Sequence, residues 1–347
     1  MLEVDVEVDR PRFTVRACLQ IAPGQRLALF GPSGAGKTTL LEVIAGLVRP
    51  RRARITLGEV VLTSTESPVV ALPPWQRRIG LLRQDPGLFP HLSVRDNLRY
   101  ARSTATAGGA GGEARAELVS MALALGIDEL LGSMPAKLSG GQAHRVALGR
   151  LLLSRCDALL LDEPYTGLDL SLRRTLTDLV ISQVERRGVP AMLVAHELAE
   201  AQAFAHRLAV LDQGGVLQIG APDEVVRRPA SRRVAELVGY TAFVPVPISA
   251  ATGSAGTELA GTVAGIHPDR IVAWRHDDKG LVLSGVVAAC RPAGVLWEIR
   301  LRVAGMAVTA RLPDPAPVGA EMVITVTDPP YFGPDGAAVS EHAQARR

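Results

Sequence analysis

The chain has 347 residues, 47% hydrophobic and 21% charged, with 38 basic against 35 acidic residues for a formal net charge of +3. That length suits about two domains with cores of their own, and the composition excludes a disordered, collagen-like or cysteine-rich secreted chain. Charges that nearly cancel give no argument for nucleic acid as a partner. Cys18, Cys156 and Cys290 are widely spaced and form no Cys-x-x-Cys pair, which argues against a zinc site or disulfide framework and for a reducing compartment. The start, Met1-Leu2-Glu3-Val4-Asp5, lacks a basic-then-apolar leader, and no uncharged apolar run approaches the length of a membrane span. A soluble protein is expected, reaching a membrane only through a partner.

In chain order, Val4, Val6 and Val8 alternate with acids, and Phe13, Val15, Ala17 and Leu19 alternate with polar or small residues. Residues 1 to about 30 therefore read as strands. Arg26 to Phe30 is a short apolar run that meets a glycine-rich turn at Gly31, and Thr38 to Leu47 then has helical spacing. Ala105 to Gly112, rich in Gly, Ala and Thr, reads as a flexible loop between helices. Ala158 to Leu161 and Ala191 to Ala195 are continuous apolar runs of strand length, each followed by a polar turn and a helical pattern. Buried parallel strands with crossover helices, an α/β fold, explain these runs better than an antiparallel meander. Pro222 to Pro229 closes the helical region. Beyond Gly239, Val295, Trp297, Ile299, Leu301 and Val303 occupy alternate positions, as do Met322, Ile324 and Val326, which predicts a small all-β domain at 240–328. Residues 329–347, with Pro329, Pro330 and Pro334, read as a loose tail.

Three motifs carry chemistry. Gly31-Pro32-Ser33-Gly34-Ala35-Gly36-Lys37-Thr38 fits the phosphate-loop pattern, with a strand before it and a helix after it. Its glycines let backbone N–H groups turn inward around phosphate oxygens at a helix N-terminus. Lys37, one of only three lysines in an arginine-rich chain, would neutralise β- and γ-phosphates, and Thr38 would ligate Mg²⁺. Leu159-Leu160-Leu161-Asp162-Glu163-Pro164 ends an apolar strand in two acids, at the carboxyl edge of a parallel sheet where ligands bind. Asp162 would hold Mg²⁺ and Glu163 would orient the attacking water. Leu138-Ser139-Gly140-Gly141-Gln142 precedes a helical pattern, with Ser139 where an N-cap belongs. This is a second anion site, and one nucleotide using both sites points to a second subunit.

Together these motifs resemble the ATP-binding subunit of an ABC transporter, over about 1–235 fully and over the β domain more loosely. The resemblance implies a P-loop NTPase cassette with a RecA-like core, a helical subdomain at about 86–155, and an OB-like (TOBE/MOP) C-terminal module. Gly31–Thr38, continuing to Thr39, resembles the Walker A motif, 158–164 the Walker B motif, and 138–142 the LSGGQ signature. Gln84, in Leu82-Arg83-Gln84-Asp85, stands where the family has its Q-loop glutamine, which also approaches Mg²⁺. His196, in Val194-Ala195-His196-Glu197, stands at the switch histidine, and Thr166-Gly167-Leu168-Asp169 is similar to the D-loop. The implied activity is ATP hydrolysis coupled to import, with Glu163, His196, Lys37 and Gln84 catalytic. Two copies would pack head to tail, each ATP held between Gly31–Thr38 of one and Ser139–Gln142 of the other. The implied partners are integral membrane permease subunits and, through them, a periplasmic or lipoprotein substrate-binding protein, with no nucleic acid. The implied location is peripheral, on the cytoplasmic face of the membrane.

The chain departs from the family pattern in places. The nearest aromatic before the phosphate loop is Phe13, whose alternation suits the core as well as adenine stacking. The usual Val-Phe-Gln is Leu82-Arg83-Gln84, and Tyr165 follows Asp-Glu-Pro in place of an aliphatic residue or Phe. Leu72 to Gly80 and Leu88 to Val94 resemble importers of oxyanions, sugars and polyamines, and Asn97-Leu98-Arg99-Tyr100 looks most like the molybdate importers. Molybdate is thus the expected cargo, with sulfate, iron, sugar or polyamine as alternatives. Ser284-Gly285-Val286-Val287 lacks the family's Ser-Ala-Arg-Asn opening, which favours dimer bracing over oxyanion binding by the β domain. A soluble cassette ATPase acting on ribosomes or DNA is opposed by the single phosphate loop and the lack of heptads. A non-catalytic cassette is opposed by Glu163 and His196. Arg145 and Arg150 read as helix-surface charges or structural ion pairs.

Overall fold

Leu2, Val4, Val6 and Val8 are all buried on one face of the strand Leu2–Asp9, the alternation expected of a sheet with one face on a core. The computed structural model describes residues 1–103, 111–245, 262–273 and 280–339 and divides into two compact units, 1–222 and 223–347.

The first unit is built on an eleven-stranded sheet. Five neighbouring strands run parallel, in the order Arg207–Asp212, Arg26–Phe30, Ala191–Val194, Ala158–Asp162 and Ile79–Leu82. Every residue of Ala158–Asp162 and Ala191–Val194 is buried, which is why these strands read as continuous apolar runs rather than alternating ones. The other half of the sheet is largely antiparallel and contains Leu2–Asp9, Thr14–Ile21 and Arg52–Leu57. Between Ile79–Leu82 and Ala158–Asp162 the described elements are helical, chiefly Val94–Ser103, Gly111–Ala124 and Gly140–Leu153. The expected loop at 105–112 lies mostly outside the described residues; Gly111 and Gly112 begin a helix.

The helix after the phosphate loop spans Lys37–Ala45, slightly shorter than the spacing predicts. It stops at Gly46, which adopts the left-handed conformation (φ 83°) and donates its N–H back to the last turn. The buried guanidinium of Arg77 seals that end, donating to the carbonyl oxygens of Val43 (3.2 Å) and Ile44 (2.9 Å) as well as to Leu72 O and Thr63 Oγ1. A cation at a helix C-terminus also complements the helix dipole.

The second unit holds a three-stranded sheet, Ala242–Pro245, Val263–Ile266 and Tyr331–Phe332, and a five-stranded antiparallel sheet from Ile271–Ala273 to Glu321–Val326. The compact units divide after Pro222, and within the second unit Ser231 bridges to Ala337 and the Tyr240 hydroxyl donates to Val226 O. The chain beyond 328 is not loose as far as it is described: Tyr331–Phe332 pairs with Val263 and Ala264, and Phe332 is fully buried with its ring edge-on to Phe243. Residues 340–347 lie outside the described residues. Val295 does not face the core; it sits in the turn between Leu281–Ala293 and Leu296–Val303, 96% exposed, while Ile299, Leu301 and Val303 do point inward.

Candidate functional site: a phosphate-loop cavity

The phosphate loop joins the carboxyl end of Arg26–Phe30 to the helix Lys37–Ala45. Gly31 (φ 151°) passes so close to the strand Arg207–Asp212 that a Cβ would overlap the carbonyl oxygen of Leu211. Gly36 (φ 101°) turns the chain into the helix, and a Cβ there would stand 2.7 Å from Val15 Cγ2. Glycine is thus required at both ends of the loop. Lys37 is buried, and its Nζ donates to Gly31 O (2.7 Å) and Pro32 O (3.0 Å). Burial lowers its pKa, opposed by the Glu163 and Asp162 carboxylates.

Two strands away, Ala158–Asp162 ends at the same edge of the sheet. Asp162 is buried and accepts a hydrogen bond from Thr38 Oγ1 (3.2 Å); burial raises its pKa, and the Thr38 bond opposes that rise. Glu163 follows in the left-handed region (φ 48°), uncommon for a residue with a side chain, and accepts from Gln84 Nε2 (3.2 Å) and Thr166 Oγ1 (3.4 Å). Gln84 comes from the end of the next strand, Ile79–Leu82.

Lys37, Thr38, Gln84 and Glu163 line a cavity of about 520 Å³, and Asp162 reaches it only through its bond with Thr38. Ser33, Gly34, Gly36, Lys37, Thr38 and Thr39 form part of its wall, and Gln84, Glu163 and Arg10 to Phe13 complete it. Pro32 and Ala35 belong to the loop without lining the cavity. Arg10 Nε donates to Thr39 Oγ1 (3.1 Å), and the Phe13 ring packs against Gly36 and Gly214. Sequence reasoning misses Arg10, Pro11 and Arg12; their signal is a basic, proline-stiffened turn just before the strand that leads into the phosphate loop.

Two groups of expected site residues do not line this cavity. His196 follows Ala191–Val194, between the strands bearing Lys37 and Asp162, but its side chain is exposed. Its backbone N–H donates to Glu200 Oε2 (3.2 Å). Ser139 caps the helix Gly140–Leu153 in a reciprocal capping box: its hydroxyl accepts from Gln142 N (3.3 Å), and Gln142 Oε1 accepts from Ser139 N (2.8 Å). Ser139 and Gly140 are exposed, Gly141 and Gln142 half-buried.

A groove of about 810 Å³ is lined by Arg83 and Asp85, the neighbours of Gln84, by Ala147, Arg150 and Leu151, and by Trp75, which is 81% exposed. Among the described residues Arg150 and Arg145 are neither free surface charges nor members of an ion pair. Arg150 donates to Gly87 O (2.9 Å) and lies over the Phe89 ring, and Arg145 donates to Leu125 O (2.8 Å) and Gly126 O (2.9 Å).

Residues 16–166 match the family model described as ABC transporter. The Fe(3+) ions import ATP-binding protein FbpC of Mesorhizobium japonicum is 38% identical over 257 residues, covering 74% of this chain and 68% of that protein. The chain belongs to the ABC transporter family. Another FbpC, of Pseudomonas fluorescens, is 35% identical over 300 residues, covering 83% of this chain and 82% of that one. The molybdenum import ATP-binding protein ModC of Mycobacterium tuberculosis is 41% identical over 223 residues, covering 63% and 60%. Among solved structures, the ATP-binding subunit of an ABC transporter superposes with a TM-score of 0.57 at 26% identity, over 70% of this chain and 95% of that one.

An ABC cassette binds ATP, with Mg²⁺ as the usual partner ion, and this cavity suits both. Its buried ammonium is hydrogen-bonded only to loop carbonyls, with the Asp162 and Glu163 carboxylates acting on it through space, and an anionic guest would further offset the cost of that burial. Thr38 and Asp162 offer two adjoining oxygens, and a cation beside them relieves the burial that raises Asp162. No cluster of three or more His, Cys, Asp or Glu side chains with metal-holding geometry occurs among the described residues. That accords with Mg²⁺, which takes one or two protein ligands and fills its octahedron with water and phosphate. Among the described residues no helix is long and apolar enough to cross a membrane.

Proposed function

We propose that this chain is the ATP-hydrolysing subunit of an ABC importer, working as a head-to-tail homodimer on the cytoplasmic face of a membrane. One observation carries the reading. Parallel strands of one sheet bring Lys37, Thr38, Glu163 and Gln84 to one cavity, with Asp162 bonded to Thr38 behind its wall, while the other anion-binding turn, at Ser139, is exposed outside it. A second copy would bring its own Ser139, Gly140, Gly141 and Gln142 to close each cavity.

In this reading Lys37 exchanges the Gly31 and Pro32 carbonyls for β- and γ-phosphate oxygens, and the loop N–H groups from Gly31 to Thr39 cradle the same phosphates. Thr38 and Asp162, with Gln84 in reach, would hold Mg²⁺, which supplies charge neutralisation at the phosphate oxygens. Glu163, held by Gln84 and Thr166, orients the attacking water. His196 reaches the γ-phosphate from the intervening strand end. Catalysis is positioning and charge stabilisation rather than covalent chemistry. Loss of the γ-phosphate removes the charge that the two copies share, and the dimer opens. The groove beside Gln84 suits a cytoplasmic helix of a permease subunit. Gln84 thereby links that groove to the cavity, and a substrate-binding protein joins only through the permease.

For the cargo, molybdate is favoured by the 41% identity to a molybdenum importer subunit. Fe³⁺ is the second reading, favoured by the length of the match to an iron importer subunit, 300 residues.

Glu163→Gln tests the catalytic reading. ATP turnover should fall on the order of a thousandfold with ATP binding retained; retained turnover contradicts the assignment. Uptake of labelled molybdate, sulfate and Fe³⁺ by cells with and without the chain tests the cargo. Loss of molybdate uptake alone supports the first reading, and loss of Fe³⁺ uptake alone the second.

A further inference from the structure

The turn from Arg10 to Phe13 is four residues long and closed by a hydrogen bond from Arg10 N to Phe13 O (2.9 Å). It joins strands that are paired up to Asp9 and Thr14. Pro11 fixes its own φ, which stiffens the tip of the turn. Phe13 anchors one end, its ring against Gly36 and Gly214, so that ring is half-buried in the unit's core.

The two arginines of this turn differ in their company. Arg10 is engaged, donating to Thr39 Oγ1 and standing 3.7 Å from the Glu42 carboxylate. Arg12 is exposed and has no hydrogen-bond or ion-pair partner among the described residues, although it lines the same cavity. The nearest acid in sequence, Asp9, faces Thr14 Oγ1 (3.1 Å) and Arg51 (3.7 Å) instead. The cavity wall thus carries Lys37, Arg10 and Arg12 against the carboxylate of Glu163. Glu42 offsets Arg10, and nothing described offsets Arg12.

We infer that Arg12 is a nucleotide-binding residue whose guanidinium pairs with the phosphate chain of the bound nucleotide from the turn that packs beside the phosphate loop. The inference rests on the reading of this cavity as the ATP seat. A guanidinium forms charge-assisted, forked hydrogen bonds to phosphate oxygens. The turn that carries it is closed by the Arg10 N–H to Phe13 O bond, which fixes the backbone at the edge of the cavity and leaves only the side chain to be ordered on binding. Among the described residues Arg12 has no hydrogen bond or ion pair with Glu163, so it acts on affinity and not on the water.

The test measures binding of a fluorescent ATP analogue to the full chain, and its displacement by adenosine. Arg12→Gln should weaken the analogue about five- to tenfold at low salt, and the difference should shrink at high salt as the exposed charge is screened. Arg12→Lys should recover part of the lost affinity, because it restores the charge but not the guanidinium fork. Adenosine, which lacks phosphate, should bind parent and Arg12→Gln alike. Unchanged affinity in Arg12→Gln, failure of Lys to rescue, or a parallel loss of adenosine binding overturns the inference. Lys37→Met separates the two levels. If it weakens the analogue while Arg12→Gln does not, only the role of Arg12 falls; if neither does, the reading of the cavity falls with it.

Discussion

In residues 1–222 the chemistry-bearing side chains stand at the ends of neighbouring parallel strands, within a few residues of turns whose geometry only particular residues can adopt. Among the described residues of 223–347 most buried side chains are the strand interiors of two small antiparallel sheets, with Ile299, Leu301, Val308, Ala310 and Ile324 in one core, and short helices add Val225, Val234 and Ala235. A phosphate loop must place glycine and lysine at fixed positions, so its role is written locally. An antiparallel sheet needs only alternation, which many sequences satisfy and which names no ligand.

The contrast breaks if the phosphate-loop lysine matters to stability more than to activity. Lys37→Met should lower ATP turnover on the order of a thousandfold, about 4 kcal/mol. Thermal unfolding without nucleotide should shift by no more than about 1 kcal/mol, since the lost hydrogen bonds to Gly31 and Pro32 are offset by relief of a buried charge. The opposite pattern belongs to the β unit. Phe332→Ala removes a fully buried ring and should destabilise the unit by about 3 kcal/mol, seen in calorimetry, with ATP affinity unchanged.

Glu200 sharpens the comparison inside the first unit. Burial pushes its carboxyl up to about 7, opposed by the N–H of His196 and by Arg173. Between the ordinary 4.5 and about 7 the folded protein keeps a proton that the unfolded chain has lost. This group therefore makes stability fall as pH rises through that window, by roughly 3 kcal/mol in all, and adds no further slope above it. Glu200→Gln keeps an acceptor for His196 N and removes the titration. Its denaturant midpoint should gain on the parent between pH 5 and pH 8; a constant gap contradicts the assignment. A smaller effect is expected at Arg77. Arg77→Met should cost about 2 kcal/mol by leaving the Val43 and Ile44 carbonyls uncapped, measured by denaturant unfolding.

What the sequence made legible follows the same division. Ala158–Asp162 and Arg26–Phe30 were readable because buried parallel strands are continuously apolar, and Ser139 because an N-cap has a specific chemistry. Arg77 escaped notice because its four partners come from 43, 44, 63 and 72, a convergence that only folding creates. Arg10 and Arg12 escaped because a basic turn is ordinary until it is found beside a phosphate loop. In the β unit the alternation at 295–303 was real but its phase was overextended: Val295 keeps the period yet occupies a hairpin turn. The prolines after 328 suggested a loose end, although Phe332 was there to be buried. Cargo is the least legible property, because an ATP-binding cavity has no reason to encode it.

The central claim is that each ATP is gripped by two copies, one offering the Lys37 loop and the other the Ser139 turn. Sedimentation of Glu163→Gln in ATP and in ADP, with and without Ser139→Glu, tests it directly. Glu163→Gln should be a dimer in ATP and a monomer in ADP, and adding Ser139→Glu should abolish the dimer while the monomer still binds ATP with unchanged affinity. A Glu163→Gln protein that stays monomeric in ATP, or a Ser139→Glu substitution that leaves the dimer intact, contradicts the claim.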